Sequence, residues 1–186
     1  LKIILGQEVF LILLSLVWLF LRNFNSITTE GLFVLHNLNP FKGFSIDIMS
    51  ITYSFLACAF LIMLSFIMLY TYEPFKKAVI AIDNLLLSKL SKKDFLPIAV
   101  LSGLGEELFF RGVLQLETSI LVSSLVFALL HFIGREFWIY SLWALFGGLF
   151  FGNLYSYTDN LFIVIFCHIL NNFIALSFWN KKLISE

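Results

Sequence analysis

An all-α, polytopic transmembrane bundle is predicted by three features of this 186-residue sequence: its composition, its recurring apolar runs and the placement of its lysines. Hydrophobic residues make up 60% of the chain and charged residues 13%, whereas soluble domains average about half apolar and a quarter charged. A spanning helix takes about 20 mostly apolar residues, which leaves room for roughly six or seven crossings and no separate soluble domain. Net charge is zero, and there is no basic run or phosphate-cradling glycine loop. Nucleic acid is therefore excluded as a partner, and the lipid bilayer is the expected surroundings.

The apolar segments run, in order, from Ile3 to Leu21, Ile51 to Tyr72, Phe95 to Phe110, Leu114 to Ile133, Phe137 to Tyr155 and Leu161 to Trp179. Each approaches the length a helix needs to cross hydrocarbon, so about six spans are expected. The first follows Lys2 like a secretory leader, but Glu8 interrupts it and Arg22-Asn23-Phe24 offers no small-residue cleavage site, so it reads as a retained span. Cys58 and Cys167 sit inside apolar runs, as inert interior thiols do. Gly148 and Gly152 form a small-x-x-x-small pair suited to close helix approach, and Asp159-Asn160 reads as a helix cap.

Between the second and third runs lies a connector, Glu73 to Asp94, carrying Lys76, Lys77, Lys89, Lys92 and Lys93. The positive-inside rule places it in the cytoplasm. Counting spans from that anchor puts Lys2, Arg135 and Lys181-Lys182 inside, so both termini are expected to be cytoplasmic, and Phe24 to Ser45 outside with His36 on its surface. Within the connector, Phe75, Val79, Ile82, Leu86 and Leu90 recur at helical spacing opposite Lys76, Lys77, Asp83 and Lys89. This predicts an amphipathic helix, lying either in the membrane interface or packed under the bundle. The chain thus divides into an N-terminal part, 1–94, with two spans and the connector, and a core, 95–180.

The core holds the residues capable of chemistry. Glu106, Glu107 and Arg111 lie within an apolar segment, where each charge costs about 2.5 to 3.5 kcal/mol near the bilayer centre. Glu107 and Arg111 are four apart and share a helical face, so they can pair. Glu106 is rotated by about 100° and is left without that partner. Two histidines, His131 and His168, fall in predicted spans. Phe127 precedes the first by four residues and can pack on its ring, and Asn172 follows the second by four on one face. The bland reading is a helix-anchoring network with satisfied core histidines; an unpaired intramembrane carboxyl is functional by default.

Glu106-Glu107-x-x-x-Arg111, Phe127-x-x-x-His131 and His168-x-x-x-Asn172, in this order, resemble the three motifs of the CPBP intramembrane proteases. That family includes type II CAAX prenyl endopeptidases and bacteriocin-processing and abortive-infection proteins. The resemblance covers about half of the chain, from Phe95 to Trp179, and the glycine-bearing stretch Gly147 to Tyr155 fits it. It implies a membrane-associated peptide or protein as substrate, Glu106 with His131 activating a water, and His168 with Asn172 stabilising the oxyanion, without a cofactor. Glu107, Arg111 and Phe127 would hold the site together. Small size and motif style point to a bacterial plasma membrane.

Two further readings stay open. Glu106, His131 and His168 could serve as the three protein ligands of a catalytic zinc, although no His-Glu-x-x-His helix is present and the amide of Asn172 suits an oxyanion better than a metal. A non-catalytic scaffold or immunity protein would need none of these residues, and a small transporter would use Glu and His as a proton relay.

Overall fold

The computed structural model describes residues 2–28, 40–85 and 90–178, with the side chains of the first helix described for residues 5–22. His36, Leu86, Lys89, Trp179, Lys181 and Lys182 lie outside the described residues. All regular elements among the described residues are helical: α1 (Lys2–Thr28), α2 (Ile48–Thr71), α3 (Glu73–Leu85), α4 (Lys92–Phe109), α5 (Gln115–Glu117), α6 (Ile120–Leu130), α7 (Trp138–Thr158) and α8 (Leu161–Phe178). A π-helical turn, Phe110–Leu114, joins α4 to α5 in one continuous rod, and a 3-10 turn, Arg135–Phe137, leads into α7. The all-α class is as the composition predicts.

Among the described residues, four segments are long and apolar enough to cross a membrane: Leu5–Arg22, Ile48–Thr71, Arg135–Thr158 and Leu161–Phe178. The other two expected spans take a different form. The Phe95 to Phe110 segment is part of a rod that begins at Lys92 and ends at Glu117, and Leu114 to Ile133 contracts to the 11-residue helix α6. Apolar length alone does not register the break at Thr118-Ser119, where Ser119 accepts from Val122 N and starts a new helix. His131 then ends that helix rather than sitting within it.

The bundle turns its apolar side chains outward. Phe10, Leu13, Val17 and Phe20 of α1, Phe55, Leu56 and Met63 of α2, and Leu121 and Leu129 of α6 are exposed. Glu107, Arg111, Gln115, Ser123 and His168 are buried. This inversion of the soluble pattern is what a lipid solvent selects, and the chain is an integral membrane protein. The apolar core gathers Cys58, Leu61, Leu108, Phe151, Tyr155, Leu161, Val164 and Cys167 from α2, α4, α7 and α8.

Polar groups lock the helices in register. Ser54 Oγ donates across to the Ile163 carbonyl at 3.2 Å, and Gln115 Nε2 donates to the Gly152 carbonyl at 3.0 Å. Asn160 caps α8 by accepting from Phe162 N, and its amide donates to Ser45 O and Ser50 Oγ. Asp47 caps α2 by accepting from Ser50 N at 2.7 Å. That bond, with those from the Ser45 and Ser50 hydroxyls, holds its carboxyl below the usual range. The amphipathic α3 packs Phe75, Ala78 and Val79 against Leu69 and Ile139, under the bundle. Asp83, assigned to its polar face by spacing, is instead buried.

The approach of α4 to α8 positions the site described next. A Cβ at Gly103 would stand 2.6 Å from Ile169 Cγ1 and 2.9 Å from the Ile169 backbone nitrogen, so only hydrogen fits there. Gly103→Val is expected to lower stability by about 1–3 kcal/mol through overpacking, read as a lower melting midpoint of the purified protein. An unchanged midpoint would mean that α4 and α8 do not meet at this position.

Candidate active site

The π turn sits where the rod carries its charge. In such a turn carbonyls bond to amides five residues on: Gln115 N donates to Phe110 O, which also accepts from Ser123 Oγ of α6 at 2.8 Å. Arg111 lies inside this turn with 1% exposure, and Glu107 one turn earlier is fully buried. Arg111 Nη1 donates to Glu107 Oε1 at 3.1 Å and Nη2 to the Gly148 carbonyl of α7 at 3.0 Å. Its guanidinium carbon lies 5.2 Å from the Phe127 ring centroid and 5.5 Å from that of Phe151, an arrangement in which ring faces replace water around the cation. The pairing expected from spacing is present.

A second helix joins this knot. His168 of α8 bonds through Nδ1 to Glu107 Oε1 at 2.6 Å, and its ring stacks on Phe151 at 4.9 Å with an interplanar angle of 12°. Since the carboxylate oxygen accepts, the proton is on Nδ1. Nε2 then faces Glu106, whose Oε2 lies 3.7 Å away. That separation gives electrostatic contact rather than a hydrogen bond. The Glu106 side chain is 13% exposed against 0% for Glu107, so the adjacent carboxyls have separate environments.

His131 is the C-terminal cap of α6, half-buried. Its Nδ1 donates to the Phe127 carbonyl at 2.8 Å, which fixes the proton on that nitrogen and leaves the Nε2 lone pair free in the neutral ring. Phe127 packs on the imidazole at 4.4 Å between centroids, and Tyr140 of α7 at 5.7 Å. No hydrogen bond or ion pair joins His131 directly to Glu106; the carboxyl's imidazole contact is to His168. Asn172 does share the rod-facing side of α8, but its Nδ2 donates to Ser102 Oγ of α4 at 2.9 Å.

Spacing alone did not find Ser102, Tyr140 and Phe151, since none has a motif and each is brought in by the helix packing. Among the described residues no three His, Cys, Asp or Glu side chains converge as a metal-binding cluster. Cys167, buried in the apolar core, is unsuited to a thiol–imidazole dyad with its neighbour His168.

Chemically, the arrangement offers a partly exposed carboxylate at Glu106, an imidazole lone pair at His131 and two further polar groups from α8. Residues 91–174 match the family model for the type II CAAX prenyl endopeptidase Rce1-like proteins. Over 89 residues the chain is 32% identical to the uncharacterized protein YpbD of Bacillus subtilis (strain 168), a match covering 48% of this chain and 47% of that protein. The chain thus spans about half the length of this curated relative. No solved structure matches it. The similarity to the type II CAAX prenyl endopeptidase Rce1-like family thus takes in the whole stretch that holds Glu106, His131, His168 and Asn172.

Proposed function

We propose that this protein is an intramembrane endopeptidase that hydrolyses a peptide bond of a membrane-associated protein or peptide, with Glu106 as the base that activates water. One observation carries the reading: Glu107 is sealed between Arg111 and His168, whereas Glu106 keeps a partly exposed carboxylate beside them. A carboxylate so placed can take a proton from water while the new hydroxide attacks the scissile carbonyl, then pass that proton to the departing amine. His131, whose Nδ1 is engaged by the Phe127 carbonyl, helps to hold the water through its Nε2 lone pair. The separation of His131 from Glu106 leaves the water as the link between them.

Asn172 donates toward the oxygen on which negative charge develops, and His168, whose Nδ1–H is committed to Glu107, joins it as the imidazolium, which carries a second N–H on Nε2. For Asn172 this means exchanging its bond to Ser102 Oγ for the oxyanion, or adding the second N–H of its amide. A CAAX-like tail, a bacteriocin leader or a signalling peptide would all reach such a site from lipid or cytosol. The two N-terminal spans with the basic connector, 1–94, form one part and the core, 95–180, the other. The connector's lysines favour a cytoplasmic side for it and for both termini, in a plasma membrane.

Glu106→Gln should abolish cleavage of membrane peptides by the purified protein, followed by mass spectrometry of the products. Glu107→Leu should chiefly lower folded yield, because losing one partner of a buried ion pair costs about 3–5 kcal/mol. Equal loss of activity from both variants at equal yield would end this division of roles.

Asn172→Ala should leave KM nearly unchanged and reduce kcat about 100- to 1000-fold, the usual effect of deleting one oxyanion donor. A loss confined to KM would make the amide a contact formed equally with substrate and transition state. Activity should also persist in chelator. Loss restored by stoichiometric zinc would transfer the chemistry to a metal held by Glu106, His131 and His168.

A further inference from the structure

Glu8, which interrupts the first apolar run, has no part in the family's motifs, yet α1 brings it to the rod beside Glu106. It lies in the spanning segment Leu5–Arg22 and is 5% exposed. Among the described residues, its buried Oε2 has no hydrogen-bond partner. The other charge described in that segment, Arg22, is paired with Glu117 near the far end of the helix. Glu8 packs on the backbone at Gly105: a Cβ there would stand 2.9 Å from the Glu8 carbonyl oxygen and 3.2 Å from its Oε2. Gly105 immediately precedes Glu106, so Glu8 meets the rod one residue from that carboxyl.

A buried carboxylate with no cation and no donor is among the costliest features a membrane protein can retain. Two such carboxyls near one another cannot both be ionised at low cost; one proton between them removes the repulsion and creates a donor. We infer that Glu8 is a positioning residue for Glu106, a neutral acid seated against the α4 backbone at Gly105, whose O–H donates toward the Glu106 carboxylate and holds it aimed into the site. The inference rests on the reading of Glu106 as the base. It explains why α1 meets the rod at a glycine: a methyl group at position 105 would push Glu8 off the backbone.

The neutral form has a mimic. Glu8→Gln keeps the shape and an N–H donor without the charge, whereas Glu8→Leu keeps the bulk and loses the donor. In the full-length protein, assayed on one membrane peptide, Glu8→Leu is expected to lower kcat about 10- to 100-fold, the scale of losing a group that orients another reactive one. KM should stay within about twofold and Glu8→Gln should retain kcat within about threefold, because only an interaction stronger in the transition state changes kcat alone. Wild-type kinetics for Glu8→Leu would overturn the inference. Equal damage from both variants would also overturn it, as would a change confined to KM, which would mark an ionised site for a cationic part of the substrate. Should Glu8→Leu fold poorly, Glu8→Gln decides alone: a kcat loss beyond about tenfold at normal yield is incompatible with a neutral acid. Full activity of Glu106→Gln would instead sink the proteolytic reading itself, an outcome distinct from every result at Glu8.

Discussion

The fold depends on how one buried carboxylate is shared. Glu107 Oε1 accepts from Arg111 within its own rod and from His168 of α8, and the same guanidinium reaches the Gly148 carbonyl of α7. The rod and α8 thereby meet at a single oxygen, and the guanidinium carries the tie on to α7, with Glu107 and Arg111 both buried. Such a group cannot be adjusted gradually: with its partners it is stable, and without one it leaves a charge in a medium of low dielectric constant. Everything placed around the site inherits its position from this knot.

The aromatic residues complete what hydrogen bonds leave undone. Arg111 Nε has no hydrogen-bond partner, but Phe110, Phe127 and Phe151 surround the guanidinium with ring faces at 5.9, 5.2 and 5.5 Å. Phe151 also stacks on His168, and Phe127 on His131. The same rings that neutralise the cation's desolvation therefore fix both imidazoles. This coupling gives Phe127 a role beyond the local contact its spacing predicts, since it touches groups from the rod and α6 together.

The sequence made visible what depends on short spacing. The Glu107–Arg111 pair, the Phe127–His131 packing and the Gly148–Gly152 contact surface are set by helical geometry within a few residues, and the structure has all three. The contraction of α6, the π turn, the Ser102 partner of Asn172 and the contact of Glu106 with His168 rather than His131 depend on how separate rods pack. A hydrophobic count sees Thr118 and Ser119 as two tolerable polar residues in a long apolar run. The backbone uses them to end one helix and begin another. Glu8 was legible as an intramembrane charge but not as part of the site, because nothing local indicates which face of α4 it meets.

Adjacent glutamates on a helix point about 100° apart, too far for a shared partner and close enough for a shared field. One of them, Glu107, faces inward onto Arg111 and His168 and is fully enclosed, so its charge is spent on structure. The other, Glu106, lies 3.7 Å from His168 Nε2 and keeps a partly exposed side chain. Exchanging the two residues' environments would require rotating the rod, and the glycines at 103 and 105, each pressed against a neighbouring helix, leave no room for that rotation. Assigning the base role to Glu106 therefore rests on the packing of small residues as much as on the carboxyls themselves. A change that loosens α4 against α1 or α8 would blur the distinction between the two glutamates before it removed either one.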